Sequence, residues 1–274
     1  MTQTGSNGRS EQVETTPRTI VAVLAHPDDE TFIIGGTLAL YASRGHHVHV
    51  IYGPFGPEPD GRPTPQRLSE LEAAANTLGI TANTFLSAPD RSESPAQAGA
   101  LGEGTLPHLT NAIRAELRGL RPDVVITFDA TGATGNLNHI LTGAATLQAV
   151  GSMTGVTAPR LYAAVFGRRQ LAAGLRIGRL TRRKNLDDVR DALRIAQESQ
   201  RPTTTIDVRG VLAQRLEAAR CYTTALREGA WWMRRWELLS PRLRRHLAPR
   251  EVYARLIPPV SDSEDMENGL FGEG

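Results

Sequence analysis

Residues 19–30 read TIVAVLAHPDDE, and this stretch decides the fold that we expect. Its first six residues contain the uninterrupted apolar run Ile20–Leu24 and are typical of a strand buried on both faces of a sheet. The polar run from His26 to Glu30 follows at once. The apolar spacing of Thr31–Ser43 then predicts a helix, with Gly45 as its stop signal. A buried strand followed directly by a helix is the opening unit of a parallel α/β sheet.

The same alternation of strands and helices continues along the chain. Apolar runs predict further strands at Val48–Tyr52, Thr84–Leu86, Asp123–Phe128, Leu161–Phe166 and Thr204–Val208. Helical spacing predicts helices at Arg67–Leu78, Leu106–Leu120, Ile140–Val150 and Val211–Arg227, and less regular helical packing at Trp231–Leu256. The sequence therefore predicts an α/β fold with a mostly parallel sheet and helices on both faces.

Composition and length fit one globular domain between two polar tails. The chain of 274 residues is 40% hydrophobic and 22% charged, which is ordinary for such a domain. We expect a disordered tail at residues 1–17, one domain at 18–260 and an acidic disordered tail at 261–274. Cys221 is the one cysteine, so no disulfide can form within the chain. With no recognisable signal peptide or membrane span, the expected location is the cytoplasm.

The polar run after the first strand has the residue types of a divalent-metal site. Ligand sites in open α/β sheets form outside the carboxyl ends of the strands, and His26 and Asp29 lie there, three residues apart. Imidazole nitrogen and carboxylate oxygen are standard ligands of zinc, and iron(II) fits the same ligands. Asp28 beside them is a carboxylate that can act as a base. The alternative is that these acids only cap the next helix, which explains one acid but not the whole run.

A third ligand is expected from a second strand end. The predicted strand Asp123–Phe128 provides such an end, and the loop after it leads to His139 at the start of the next helix. A catalytic zinc site has three protein ligands and an open position, so His139 is the candidate. Histidines around the second strand alternate with valines, and we expect most of them to face solvent: His46, His47 and His49.

In these motifs the sequence resembles the LmbE-like or PIG-L deacetylases. That family carries an A-H-P-D-D-E run after the first strand, here Ala25–Glu30, and then a glycine-rich helix start, here residues 35–37. An R-x-x-E-x-x-x-A helix that ends in Leu-Gly is matched by Arg67, Glu70, Ala74, Leu78 and Gly79, and a later Pro-Asp by Pro89 and Asp90. The resemblance spans Thr19 to Val150.

The resemblance implies a Rossmann-like fold, with residues 18–260 as a deacetylase-like domain, and a zinc-dependent amide hydrolase. The metal ligands implied by motif position are His26, Asp29 and His139, the general base is Asp28, and the substrate-binding residues are Arg67 and Asp90. The implied metal is Zn²⁺, with Fe²⁺ as the alternative. The implied reaction removes an acyl (acetyl) group from the amine of an N-acetylated amino sugar or related glycoconjugate.

Two positions near His139 depart from the family pattern. The family has His and Asp where this sequence has Asn136 and Asn138. An asparagine can donate a hydrogen bond to an oxyanion but cannot carry a proton. We therefore assign oxyanion stabilisation to Asn136 and both proton transfers to Asp28. A later H-x-[ST]-Q motif is replaced by CYTT at residues 221–224. The alternative is a degenerate family member that binds metal or ligand without hydrolysis.

Two further functions compete with hydrolysis. Two histidines and a carboxylate also form the ligand triad of non-haem iron oxygenases, but those sites usually lie in β-rich folds. Nucleic-acid binding is suggested by two arginine-rich stretches, Arg168–Lys184 and Arg234–Arg250, but no recognised binding motif accompanies them. We therefore expect a small-molecule partner, no nucleic acid and no membrane span, and we leave a homo-oligomer open.

Overall fold

A seven-stranded sheet forms the centre of the computed structural model, which describes residues 16–88, 105–153, 158–165, 194, 198–228, 250–261 and 265–272. The strands within these ranges are β1 (Thr19–Leu24), β2 (His47–Tyr52), β3 (Ala82–Phe85), β4 (Val124–Phe128), β5 (Arg160–Val165), β6 (Thr204–Ile206) and β7 (Glu251–Ile257). Their order across the sheet is β3-β2-β1-β4-β5-β7-β6.

The first five strands run parallel, as the sequence predicts. β1 lies between β2 and β4, and β5 pairs with the other side of β4. β7 runs antiparallel between β5 and β6. The expected mostly parallel sheet is confirmed. Because β1 and β4 are neighbours and point the same way, the loops that follow them meet at one edge of the sheet.

The last strand corrects an expectation from the sequence. We expected irregular helical packing over Trp231–Leu256, but Glu251–Ile257 forms β7, and residues 231–249 lie outside the described ranges. A strand is favoured here because its backbone finds hydrogen-bonding partners on both sides, in β5 and β6. Tyr253 and Ala254 are buried, so this strand also contributes to the core.

Helices cover both faces of the sheet. The described helices are α1 (Asp29–Phe32), α2 (Gly35–Ser43), α3 (Pro65–Leu78), α4 (Thr105–Leu120), α5 (Gly132–Gly135), α6 (Leu137–Gly151), α7 (Leu212–Cys221) and α8 (Thr223–Glu228), with a 3₁₀ turn at Arg209–Val211. On one face, Ile20 packs in a core with Leu38 of α2 and Leu71 of α3. On the other face, Val21 packs in a core with Ile113 of α4. Across the described ranges, we find no helix with the length and apolar character that a membrane crossing requires.

Two predicted helices are divided in the structure. The predicted helix Thr31–Ser43 is α1 and α2, and the predicted helix Val211–Arg227 is the 3₁₀ turn, α7 and α8. α7 and α8 separate at Tyr222, whose backbone leaves the helical region (φ −84°, ψ 69°). This break matters because it turns Tyr222 toward the site described below.

Part of the C-terminal segment packs on the protein, where the sequence had suggested a disordered acidic tail. Leu270 is fully buried, and its backbone N–H donates a 2.8 Å hydrogen bond to the hydroxyl of Tyr41. The ring of Phe271 lies 5.1 Å from that of His46, which is buried, not facing solvent. Glu267 pairs with Arg255. Packing of Leu270 and Phe271, together with this ion pair, holds residues 265–272 against the fold.

Candidate active site

The ends of β1 and β4 bring together the three residues that the sequence singled out as ligands. His26 follows β1, Asp29 begins α1, and His139 lies in the first turn of α6. Nδ1 of His26 lies 3.3 Å from Nε2 of His139. The carboxylate of Asp29 lies 3.3 Å from Nε2 of His139 and 3.6 Å from Nδ1 of His26. The three ligand atoms all lie within 4.8 Å of one another, so one ion can contact them together.

These distances fit a divalent metal ion. A tetrahedral site with bonds of about 2.0–2.1 Å to nitrogen and oxygen has ligand atoms about 3.3–3.4 Å apart along each edge. The two histidine nitrogens are 3.3 Å apart, Oδ1 of Asp29 lies 3.3 Å from Nε2 of His139, and Oδ2 of Asp29 lies 3.6 Å from Nδ1 of His26. Two imidazoles and one carboxylate leave a fourth position open, as a catalytic site requires. The donor set therefore suits a zinc-type ion that is accessible to substrate.

His139 is fixed in one tautomer by its surroundings. Its ring stacks on Phe128, with the ring centroids 4.2 Å apart. Nδ1 lies 3.0 Å from the carbonyl oxygen of Gly132. Because a carbonyl only accepts, Nδ1 carries a proton, so Nε2 is the nitrogen that offers a lone pair to a metal when the ring is neutral. Without a metal, a proton on Nε2 faces Oδ1 of Asp29 at 3.3 Å. Gly132 has φ 62°, and a Cβ there would lie 2.9 Å from Cβ of His139, so this turn requires glycine.

Asp29 is the buried, ionised carboxylate of the cluster. Its side chain accepts a 2.8 Å hydrogen bond from the backbone N–H of His26. Burial raises the pKa of Asp29, but hydrogen bonds from His139 and His26 outweigh that effect and lower the pKa to about 2. Asp29 therefore carries a full negative charge at neutral pH, which is the charge that a bound cation would meet.

Asp28 is held in a strained backbone conformation beside other carboxylates. Its φ is 124°, a conformation that costs a non-glycine residue about 1–3 kcal/mol. Its backbone N–H donates to Oε2 of Glu30 at 2.9 Å, and its Oδ2 accepts from Nη1 of Arg67 at 3.0 Å. Burial and the nearby charges of Asp29 and Glu30 raise the pKa of Asp28 to about 8, although Arg67 lowers it. Asp28 can therefore take up and release a proton near neutral pH.

Glu30 connects Asp28 to a distant part of the chain. It is fully buried, and its Oε1 accepts hydrogen bonds from the hydroxyls of Tyr222 at 2.7 Å and Thr31 at 2.6 Å. Burial raises the pKa of Glu30 despite these donors. Tyr222 lies in the CYTT segment, 192 residues from Glu30 in sequence. Sequence reasoning missed Tyr222, and its only signal was its place in a segment that departs from the family motif.

Arg67, which the sequence suggests as a substrate-binding residue, lies inside this network. Its guanidinium contacts Asp28, lies 5.5 Å from the ring centroid of Tyr222, and has Nε 3.8 Å from the carboxylate of Glu70. Glu70 also accepts a 2.7 Å hydrogen bond from the hydroxyl of Thr223, which ties the start of α8 to α3. Arg67 therefore orients Asp28, and its contact with substrate stays a prediction.

Comparison with known proteins identifies the family. Residues 21–150 match the family described as PIG-L, GlcNAc-PI de-N-acetylase. The 1D-myo-inositol 2-acetamido-2-deoxy-alpha-D-glucopyranoside deacetylase of Rhodococcus jostii is 32% identical over 246 residues, which cover 76% of this chain and 81% of that protein. The protein belongs to the PIG-L family. A deacetylase of the same name from Actinosynnema mirum is 29% identical over 292 residues, which cover 94% of this PIG-L protein and 99% of that relative.

Solved structures share the fold of this PIG-L protein. The zinc-inhibited form of teicoplanin deacetylase Orf2 aligns with a TM-score of 0.53 at 15% identity, over 90% of this chain and 100% of that one. At this identity the likeness shows the fold alone. The α/β fold predicted from the sequence is confirmed, and the chemistry must be argued from the side chains.

The two asparagines that depart from the PIG-L pattern occupy different places. Asn136 is exposed and caps α6, because its Oδ1 accepts a 2.8 Å hydrogen bond from the backbone N–H of Asn138. Asn138 is half-buried, and its side-chain nitrogen lies 2.9 Å from Nε2 of His26. Sequence reasoning chose Asn136 as the catalytic residue, but it is Asn138 that contacts a candidate ligand. The oxyanion role of Asn136 stays a prediction.

Some predicted features lie outside the described residues. Asp90, the second predicted substrate-binding residue, is one of them. The arginine-rich stretches Arg168–Lys184 and 234–249 are others. Their roles stay predictions.

Proposed function

We propose that this PIG-L protein is a metal-dependent deacetylase that hydrolyses the amide bond of an N-acetylated amino sugar or related glycoconjugate. The observation that carries the proposal is the convergence of His26, Asp29 and His139 on one point, next to a carboxyl group with a raised pKa at Asp28. The two reported relatives support the substrate class, because both are named as deacetylases of a 2-acetamido-2-deoxy-glucopyranoside.

The metal ligands in this proposal are His26, Asp29 and His139. The preferred ion is Zn²⁺, and Fe²⁺ fits the same nitrogen and oxygen donors. A divalent ion at this position supplies Lewis acidity toward the amide carbonyl and the attacking water. The protein contributes a buried negative charge at Asp29 and a fixed tautomer at His139.

Asp28 carries the protons of the reaction. It removes one proton from the attacking water, which adds to the carbonyl carbon of the amide. It then delivers that proton to the nitrogen as the carbon–nitrogen bond breaks, so acetic acid and a free amine leave, and the acid loses its proton to solvent as acetate. One group can do both steps because a bound cation nearby would favour the carboxylate that accepts the proton, while burial and the charges of Asp29 and Glu30 favour the carboxylic acid that returns it. Arg67 and Glu30 hold Asp28 in place from its side chain and its backbone.

The remaining roles follow the sequence-based predictions. Asn136 donates an amide hydrogen to the oxyanion, since its oxygen is already used in capping α6. Arg67 and Asp90 contact polar groups of the sugar. The proposal also includes a single catalytic domain at residues 18–260, on which residues 265–272 pack, a cytoplasmic location and a small-molecule sugar partner in place of nucleic acid.

The test is an acetate-release assay on protein loaded with Zn²⁺ or Fe²⁺, with simple N-acetyl amino sugars and the inositol glycoside named for the relatives as substrates. We expect turnover, and we expect Asp28→Asn to lower kcat by about 10²–10⁴ without loss of bound metal. Asp60→Asn, the same change at an exposed carboxylate, serves as the matched control and leaves kcat unchanged.

Two outcomes would contradict the proposal. Metal-loaded protein that releases acetate from none of these substrates would favour the degenerate, non-hydrolytic alternative. Full turnover by Asp28→Asn would instead keep the hydrolase and remove Asp28 from its role.

A further inference from the structure

The two histidines of the cluster differ in what fixes their ring protons. His139 donates from Nδ1 to the carbonyl oxygen of Gly132, a group that can only accept. His26 presents Nδ1 to the cluster, 3.3 Å from His139, and presents Nε2 to the side-chain amide of Asn138 at 2.9 Å. An amide can either donate or accept. The tautomer of His26 therefore depends on which end of the Asn138 amide faces it.

Each orientation of the Asn138 amide selects one tautomer of His26. When the NH₂ group faces Nε2, Nε2 must accept, so the single ring proton of neutral His26 lies on Nδ1 and points into the cluster. When the carbonyl oxygen Oδ1 faces Nε2, Nε2 carries the proton and Nδ1 offers its lone pair to the cluster. Only the second arrangement makes His26 a metal ligand, because a ligating nitrogen must be unprotonated.

The backbone of Asn138 is held, so its side chain can rotate but cannot leave. Its backbone N–H donates to Oδ1 of Asn136 at 2.8 Å, and its carbonyl oxygen accepts from the hydroxyl of Thr142 at 2.8 Å. These two bonds fix the first turn of α6, which also carries His139. Rotation about the terminal side-chain bond exchanges Nδ2 and Oδ1 while the amide stays against His26.

We propose that Asn138 is a positioning residue that selects the metal-binding tautomer of His26, with Oδ1 of Asn138 accepting the proton on Nε2. The proposal rests on the metal ligands assigned under the proposed function. It adds that metal binding turns the Asn138 amide, whereas His139 needs no such change. A carboxylate at this position, as the sequence resemblance suggests for relatives, would only accept and would always favour the ligand tautomer.

The test is a zinc titration of metal-free protein against a chromophoric chelator, combined with ¹⁵N NMR of the ring nitrogens of His26. In the zinc-loaded wild type we expect the proton of His26 on Nε2. We expect Asn138→Leu, which keeps the size and removes the acceptor, to raise the Kd for zinc about 10- to 100-fold. Asn138→Asp should lower that Kd and hold the proton on Nε2 even without zinc.

Matched controls separate this role from general effects of charge and folding. Asn83 is exposed on the edge strand β3, and Asn83→Leu and Asn83→Asp should leave the zinc Kd and the His26 spectrum unchanged. Thermal unfolding of each metal-free variant checks the fold, and Asn138→Asp covers the case in which Asn138→Leu fails to fold.

Several results would overturn the proposal. They are zinc binding by Asn138→Leu as tight as in the wild type, a proton on Nδ1 of His26 in the zinc-loaded protein, and a wild type that binds no zinc. None of these measurements uses a substrate. A protein that binds zinc as expected but releases no acetate would contradict the proposed deacetylation and leave the role of Asn138 intact.

Discussion

The loop after β1 and the loop after β4 both supply candidate ligands, but they are built differently. In the first loop, carboxylates accept hydrogen bonds from the backbone of the same short stretch. Asp29 accepts from the N–H of His26, and Glu30 accepts from the N–H of Asp28. This folding of acids onto their own backbone explains why Asp28 is held at φ 124°. The first loop is therefore held by its own hydrogen bonds, and it places the ionised carboxylate of Asp29 at the cluster.

In the second loop the buried carboxylate is Asp129, which accepts hydrogen bonds within the turn that precedes His139. Asp129 accepts from the backbone N–H and the hydroxyl of Thr131 and from the hydroxyl of Ser199. It shapes the turn whose carbonyl at Gly132 orients His139. The groups that the second loop presents near the cluster carry no negative charge: the imidazole of His139, whose pKa, despite burial, is raised by the hydrogen bond and charge of Asp29, and the amide of Asn138.

This difference indicates a division of labour between the loops. In the proposed mechanism the first loop supplies the charge that attracts a cation and the group that moves protons. The second loop supplies orientation, through a backbone carbonyl and a side-chain amide. Substitutions in the first loop should therefore abolish binding or chemistry, and substitutions in the second, apart from the ligand His139 itself, should weaken them in steps.

The largest effect is expected for Asp29→Asn. It removes the buried charge that both histidines contact, so zinc affinity should fall by more than the 10- to 100-fold that outer partners of a ligand contribute. The matched variant in the second loop is Asp129→Asn, also a buried carboxylate, for which the fall should stay within that 10- to 100-fold range. Metal content after dialysis and a chelator competition measure both. A larger loss for Asp129→Asn would reverse the comparison.

The sequence predicts the first loop better than the second. His26 and Asp29 are found from sequence because a strand, a turn and a helix follow one another without interruption. His139 is also found, because neighbouring parallel strands end at the same edge of a sheet. The roles of Asn136 and Asn138 could not be told apart from the sequence in the same way. Which of the two faces His26 depends on how the loop enters α6, and local residue preferences do not determine that angle.

Contacts between distant segments also escape sequence reasoning. Tyr222 reaches Glu30 only because a predicted continuous helix breaks into α7 and α8. The C-terminal residues were expected to be disordered from their acidity, yet Leu270 is buried and Glu267 pairs with Arg255. In both cases the tertiary environment, through a buried partner or a countercharge, overrides the local signal.

A smaller effect is expected when the first loop loses the hydrogen bond that Tyr222, distant in sequence, donates to Glu30. Tyr222→Phe removes one donor from the fully buried carboxylate of Glu30, which should cost about 1–3 kcal/mol in the free energy of unfolding. Because Glu30 holds the backbone of Asp28, kcat should also fall while KM stays near its wild-type value. Urea unfolding and steady-state kinetics measure the two effects.

The control for Tyr222→Phe is a second buried tyrosine that lies in a different network. Tyr253 donates a 2.7 Å hydrogen bond to the hydroxyl of Thr37, so Tyr253→Phe should lower stability without changing kcat. If both variants lower kcat equally, the effect is general destabilisation, and Glu30 has no special part in positioning Asp28.

The smallest effect is expected in the second loop, at Asn136. Asn136→Ala removes the cap of α6 and should cost about 1 kcal/mol in unfolding free energy, whereas Asn136→Ser keeps a capping oxygen and should cost much less. Both variants remove the amide donor. Because Asn136 is exposed, water weakens its hydrogen bond to an oxyanion, so kcat should fall only about tenfold in each, below the 10²–10³ typical of an oxyanion-hole donor. Equal kcat values for Asn136→Ser and the wild type would remove the oxyanion role and leave Asn136 as a helix cap alone.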